Sequence, residues 1–171
     1  MLAALELLEE GILQPTVQQI ADRAGVGGRT YFRHFADMEE LFVEVHNEIY
    51  ASSVELFRGG DRSGLVSERI EKSVRHRTEA FEQVGNLILA TQVMFWESEA
   101  LRENLSNAQL DLRTDLEDWL PELKNLALEK REAIVAIASF DNWRRLRDRQ
   151  NLTPDQSRQV ISSLLRKVLD C

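Results

Sequence analysis

The sequence predicts an all-α fold. Leu, Ala, Glu, Arg and Gln dominate while β-branched residues are sparse and scattered, a composition that favours helix throughout. Only 3 prolines and 8 glycines interrupt it, so breakers are confined to a few joints. Apolar residues recur at spacings of three and four along nearly the whole chain. At 171 residues, the chain can bury a real core. The single cysteine, Cys171, allows neither an intrachain disulfide nor a cysteine-based metal site, which fits a reducing cytoplasm. The start, "MLAALELLEEGIL", lacks the basic region of a signal peptide, and Thr91 and Gln92 interrupt the longest apolar run, so no membrane association is expected.

The first helix is marked by Leu2, Leu5 and Leu8 and ends near Gly11. After Pro15, "TVQQ" spells a capping box in which Thr16 and Gln19 serve each other's backbone N–H groups. A short helix follows, expected to bury Val17, Ile20, Ala21 and Ala24. Gly25 stands where a left-handed residue closes a helix, and Val26 offers an apolar anchor in the turn. A further short helix should open at Gly27 or Gly28 and run to Phe35. Asp37, with Glu40 three residues on, then starts a long amphipathic helix through Leu41, Phe42, Val45, Ile49 and Leu56 to about Phe57.

"RGGDRSG", Arg58 to Gly64, is the clearest loop. Helical pattern resumes through Phe81, is expected to break near Gly85, resumes through Trp96, falters at Glu97 to Glu99 and continues to Trp119, where Pro121 ends it. One long helix is expected over roughly Leu126 to Arg149. "NLTPDQS" starts the last helix, with Thr153 as N-cap, Pro154 at the first helical position and Gln156 completing a second capping box. "RRLRDR", Arg144 to Arg149, reads as cations answering a helix C-terminus, interrupted by Asp148.

The densest cationic and aromatic cluster is "AGVGGRTYFRHFADMEELF", Ala24 to Phe42. Two short helices joined by a glycine turn form the helix-turn-helix pattern. Wound at about 100° per residue, Arg29, Thr30, Arg33 and His34 fall on one arc while Tyr31, Phe32 and Phe35 fall on the other. The polar arc suits a major groove: arginine pairs with guanine, threonine with a base edge, and histidine and tyrosine with phosphate oxygens. On helix chemistry alone it reads equally as a solvated face whose arginines make surface pairs.

"PTVQQIADRAGVGGRTYFRHFADMEELF" resembles the DNA-binding signature of the tetracycline-repressor (TetR) family of bacterial regulators, continuously from Leu2 to about Val45. "SFDNWRRLRDRQNLTPDQSRQVISSLLRKVL" resembles the last two helices of many members. The resemblance implies a helix-turn-helix domain over residues 1–45, its connecting helix continuing to about residue 57, and a helical ligand-binding and dimerisation domain over 46–171. It implies no enzyme, cofactor or metal, but a cytoplasmic homodimer that reads a palindromic double-stranded DNA operator and answers a small-molecule effector. By position, Arg29, Thr30 and Tyr31 would face bases and His34 the backbone. Gly28 and Arg33 complete the DNA-contacting set, and Thr16 would hold a phosphate through the start of its helix. Measured against the family, Met1 enters the first helix partway, without the usual basic arm, Gly27 and Phe32 stand where serine and tyrosine are common, and Met38 replaces a phosphate-contacting lysine.

Family members also keep a cavity among their middle helices. Here Phe81, Phe95, Trp96, Trp119 and Phe140 offer aromatic walls, and Thr91, Gln92 and His76 are the polar candidates. The aromatics read equally as core, and Thr91 and Gln92 as helix-to-helix hydrogen-bond partners. His76, between Arg75 and Arg77, suggests an exposed face and belongs to no metal pattern. Ile134 and Ile137, with Val160, Ile161, Leu164, Leu165 and Val168, form a stripe wide enough to pair two copies as a four-helix bundle.

Charge limits these readings. A net charge of −8 argues against indiscriminate coating of nucleic acid. Residues 1–48 hold three arginines against nine acids, a local balance of −6. That balance, Met38 and the missing arm keep open an alternative, a dimeric helical small-molecule-binding protein with weakened or lost DNA binding. A helical enzyme is disfavoured, because the sequence has no Glu-x-x-His pair and no nucleophile placed with a base.

Overall fold

The computed structural model describes residues 2–27, 38–94 and 99–171, and every regular element among them is helical. In chain order these are α1 (Leu2–Glu9), α2 (Val17–Ala24), α3 (Met38–Phe57), α4 (Val66–Met94), α5 (Glu99–Trp119), a 3₁₀ segment (Pro121–Asn125), α6 (Leu128–Ile137), α7 (Phe140–Arg144), a π-helical turn (Arg145–Arg149) and α8 (Pro154–Leu169). They form two compact units, each built from two stretches of chain: Met1–Glu55 with Val84–Gln109, and Leu56–Gln83 with Leu110–Cys171. The expected boundary at residue 45 divides the chain along its sequence, whereas the compact units interleave it.

In the first unit, α1 buries Ala3, Ala4, Leu7 and Leu8, and α2 packs on it through Ile20 and Ala21. Ala24 is exposed and Val17 half-buried, because α2 turns inward only the narrow face carried by Ile20 and Ala21. Arg23 ties the two helices at their surface, reaching Glu10 at 2.7 Å and Glu6 at 3.4 Å. Asn86 Nδ2 on α4 donates to the Glu9 carbonyl at 2.9 Å, satisfying an acceptor that the end of α1 leaves open. Helix α3 turns Leu41, Val45 and Ile49 inward at a spacing of four.

The second unit is organised around Trp119, Trp143, Phe81 and Phe140, all buried. The Phe81 ring stands 5.4 Å from Phe140, edge to face, and 5.5 Å from Phe57. Trp143 donates its indole N–H to Glu82 at 3.0 Å, so the large side chain is buried without orphaning its polar tip. Gly60, at φ +81°, lies under the Trp119 ring, and a Cβ there would fall 2.7 Å from Trp119 Cζ2. Both the backbone angle and the space demand glycine. The loop carrying it is held by Arg62, which reaches Asp115 at 2.7 Å and Asp118 at 3.2 Å, and by Lys72, 2.5 Å from Asp61. The hydrogen bonds from Lys72 and Ser63 hold the Asp61 carboxyl well below the usual range.

Two sequence expectations are corrected here. Helix α4 runs 29 residues without a break at Gly85. Glycine inside a helix costs only about 1 kcal/mol relative to alanine, which the buried neighbours Val84 and Leu87 offset. Conversely, the long helix expected from Leu126 to Arg149 is interrupted. Helix α6 stops at Ile137, and Ser139 begins α7 by accepting the Asn142 N–H on its hydroxyl at 3.2 Å. The Arg144–Arg149 run proves structural: Arg144 pairs with Asp148 at 2.5 Å, and Arg147 lies over Trp143 and donates to the Leu152 carbonyl.

Candidate functional site

The helix-turn-helix candidate begins at α2, whose start is fixed by the expected capping box. Thr16 Oγ1 accepts the Gln19 N–H at 3.3 Å, and Gln19 Oε1 accepts the Thr16 N–H at 2.8 Å. Gly25 closes the helix in the left-handed conformation, φ 65° and ψ 29°, and the Val26 N–H returns to the Ala21 carbonyl at 3.0 Å. Val26 therefore secures the turn through its backbone. Its side chain is 41% exposed and is not the apolar anchor expected from the sequence. Gly28, Arg29, Thr30, Tyr31, Arg33 and His34, and the cap position Asp37, lie outside the described residues. Of the three arginines in the first 48 residues, Arg23 is engaged by Glu6 and Glu10.

The effector candidates separate. Thr91 is in the first unit, its hydroxyl donating to the Leu87 carbonyl at 3.1 Å and lying 3.4 Å from His46 Nδ1, and Gln92 follows it on α4. Burial holds the His46 pKa below its ordinary value. Phe81 and Phe140 meet in the second unit, and Trp119, fully buried, stands against His76 with ring centres 5.9 Å apart. Phe95 and Trp96 lie outside the described residues. His76 is half-buried rather than exposed, with Nε2 3.1 Å from the Phe57 carbonyl, because that carbonyl near the end of α3 gives the ring a partner.

The stripe on α6 and α8 also divides. Ile134, Ile161 and Leu165 belong to the core of their own unit, whereas Ile137, Val160 and Val168 are half-buried and Leu164 is 38% exposed. Leu128, at the start of α6, is 62% exposed.

Sequence reasoning passed over one cluster. Arg77 and Asp115 face each other at 3.1 Å with side chains only 6% and 8% exposed, and Asp115 is shared with Arg62. Burial pushes Asp115 up and Arg77 down, and in each case the opposite charge opposes the shift. Arg77 lies in the buried phase of α4, between Val74 and Phe81, and that phase was the signal available in the sequence. Among the described residues no group of acids, histidines or cysteines could hold a metal, and no helix is long and apolar enough to cross a membrane.

Compared with known proteins, residues 1–45 match the model of the bacterial regulatory proteins of the tetR family. The fold is similar to the crystal structure of a transcriptional regulator from Rhodococcus sp. Rha1, at 18% identity and a TM-score of 0.73, over 96% of this chain and 90% of that one. Among curated proteins there is no match. That likeness is one of fold; the family match is confined to residues 1–45, which include the capped α2 and the glycine turn.

Proposed function

We propose that this protein is a ligand-responsive transcriptional repressor that binds a palindromic double-stranded DNA operator as a homodimer in the cytoplasm and leaves it when a small-molecule effector binds. The observation that carries the reading is the capped α2 and left-handed Gly25, which lead straight into the cationic, aromatic segment from Gly28 to Phe35 within the 45 matched residues. Arg29, Thr30 and Tyr31 then read bases. Gly28, Arg33 and His34 meet the backbone, and a phosphate sits at the start of α2 beside Thr16. The exposed side of the α6 and α8 stripe, with Leu164 at its centre, pairs two copies.

The test is fluorescence polarisation with palindromic duplexes from the protein's own promoter, titrated with salt. Sequence-selective binding that weakens as salt rises is expected. Arg29→Ala should cost about 1–3 kcal/mol and relax preference at one base pair, whereas His34→Ala should weaken all duplexes alike. No selectivity even at low salt would refute the repressor. One observation favours the second reading, a dimeric small-molecule-binding protein without operator binding: the −6 balance of residues 1–48, with Arg23 already engaged, leaves only Arg29 and Arg33 to attract DNA.

A further inference from the structure

Two polar groups of α4 in the second unit are sealed from solvent with no hydrogen-bond partner among the described residues. They are the Ser73 hydroxyl and the Arg77 Nε–H, four positions apart and so on one helix face. Arg77 makes its hydrogen bonds from Nη1, to the Leu112 carbonyl at 3.0 Å and to Asp115 at 3.1 Å, which leaves Nε out. Native proteins keep few such groups unpaired, because a polar group stripped of water needs another partner in its place.

Both groups line a void of about 10 Å³, room for one water-sized group. Thr78 completes its polar side, and Phe81, Ala138 and Ile161 of α8 contribute apolar walls. Thr78 Oγ1 donates to the Arg75 carbonyl at 3.1 Å and accepts from Arg158 Nε at 2.9 Å, which leaves one lone pair of its oxygen for a further donor.

Size and charge together select the occupant. The volume suits a water molecule and excludes an organic ligand. The surrounding charges are already matched: Asp115 serves Arg77 and Arg62, Asp118 also serves Arg62, and Asp155 serves Arg158, so nothing there calls for an anion. What the void offers is two donors and one acceptor, the three contacts that a buried water usually makes.

We infer that this void is the binding site of a single structural water. Its oxygen accepts the Arg77 Nε–H and the Ser73 hydroxyl, and one of its hydrogens goes to Thr78 Oγ1. The water supplies the bond at Nε that Asp115, engaged at Nη1, leaves unmade. It also fills the space between α4 and Ile161 that no side chain reaches.

The test uses the full chain without added ligand. A crystal structure locates the water, and oxygen-17 relaxation dispersion counts long-lived internal waters in solution, where hydroxyl oxygens do not exchange and so cannot mimic one. The wild type should show one compact density peak at hydrogen-bonding distance from Arg77 Nε, Ser73 Oγ and Thr78 Oγ1. Ser73→Val, which puts a methyl group into the void, should lose that peak and a single long-lived water while circular dichroism shows a folded protein. Ser73→Ala, which removes the hydroxyl but keeps the room, should retain the peak. A dry void in the wild type, equal water counts in the wild type and Ser73→Val, or a peak that carries the anomalous signal of bromide in crystals grown with a bromide salt would overturn the site. If Ser73→Val does not fold, the wild-type and Ser73→Ala crystals decide the matter.

Discussion

Replacing Asp115 with asparagine isolates what the buried charge cluster contributes. The carboxylate receives Arg62 at 2.7 Å and Arg77 at 3.1 Å, and among the described residues Arg77 has no other acid. With both side chains more than nine-tenths buried, little solvent screening reaches them. Asparagine keeps the shape but leaves the Arg77 charge uncompensated, a loss of about 3–5 kcal/mol for a buried pair deprived of one partner. For a chain of this size each kcal/mol moves Tm by about 2–4 °C, so a fall of about 6–20 °C is expected. Asp118→Asn is the internal control. It removes an acid from the same Arg62, but one that is 55% exposed, so the cost should stay below about 1 kcal/mol. Urea unfolding followed by circular dichroism, at one protein concentration and pH 7.5, compares the two. If Asp115→Asn is no more destabilising than Asp118→Asn, the buried pair does not hold the second unit together. The double change Asp115→Leu with Arg77→Met should recover most of the loss, since it removes the stranded charge as well.

Gly60→Ala should destabilise by about 2 kcal/mol or more, combining left-handed strain with a methyl group driven into Trp119. Gly25→Ala, left-handed but with open space around it, should cost only about 1 kcal/mol, and urea unfolding of both separates strain from collision. His46 sits buried with its pKa lowered, so the unfolded chain takes up a proton before the folded one does. Stability should therefore fall as pH drops below about 6.5, by up to about 1.4 kcal/mol per unit, and His46→Leu should flatten that dependence in unfolding curves at pH 5.5 and 7.5. Leu164→Glu should give folded monomers in sedimentation, whereas Leu165→Glu, which places a charge in the unit's own core, should unfold the chain instead. Folded dimers from Leu164→Glu would move the interface away from α8.

The parts of the fold legible in the sequence are those fixed by neighbours along the chain. Thr16 with Gln19 and Thr153 with Gln156 announce their helix starts because both partners of each capping box lie within one turn. Gly25 announces the turn because only its missing Cβ tolerates the left-handed angle cheaply. What was not legible depends on residues far apart. Arg77 reads as a surface cation until Asp115, 38 positions on, is brought beside it. Gly85 reads as a break until its neighbours Val84 and Leu87 are seen to be buried. The wide stripe on α8 conceals a division between core and open surface, because hydrophobicity alone does not say which neighbour covers a side chain.

The interruption at Ser139 has a consequence in angle. Were α6 to continue straight at 100° per residue, Trp143 would emerge diametrically opposite Ile134, and Phe140 would be turned about 120° away. Ile134 is fully buried, so a straight rod would carry one aromatic, and largely the other, out to solvent. The two-residue joint, Ala138 and Ser139, resets the phase and lets two successive helices, out of step by sequence, address one interior. A substitution that strengthens helix at Ser139 would thus rotate Phe140 and Trp143 away from Phe81 and Glu82 together. At this joint a better helix is a worse protein, and a weak helix former is the residue the fold requires.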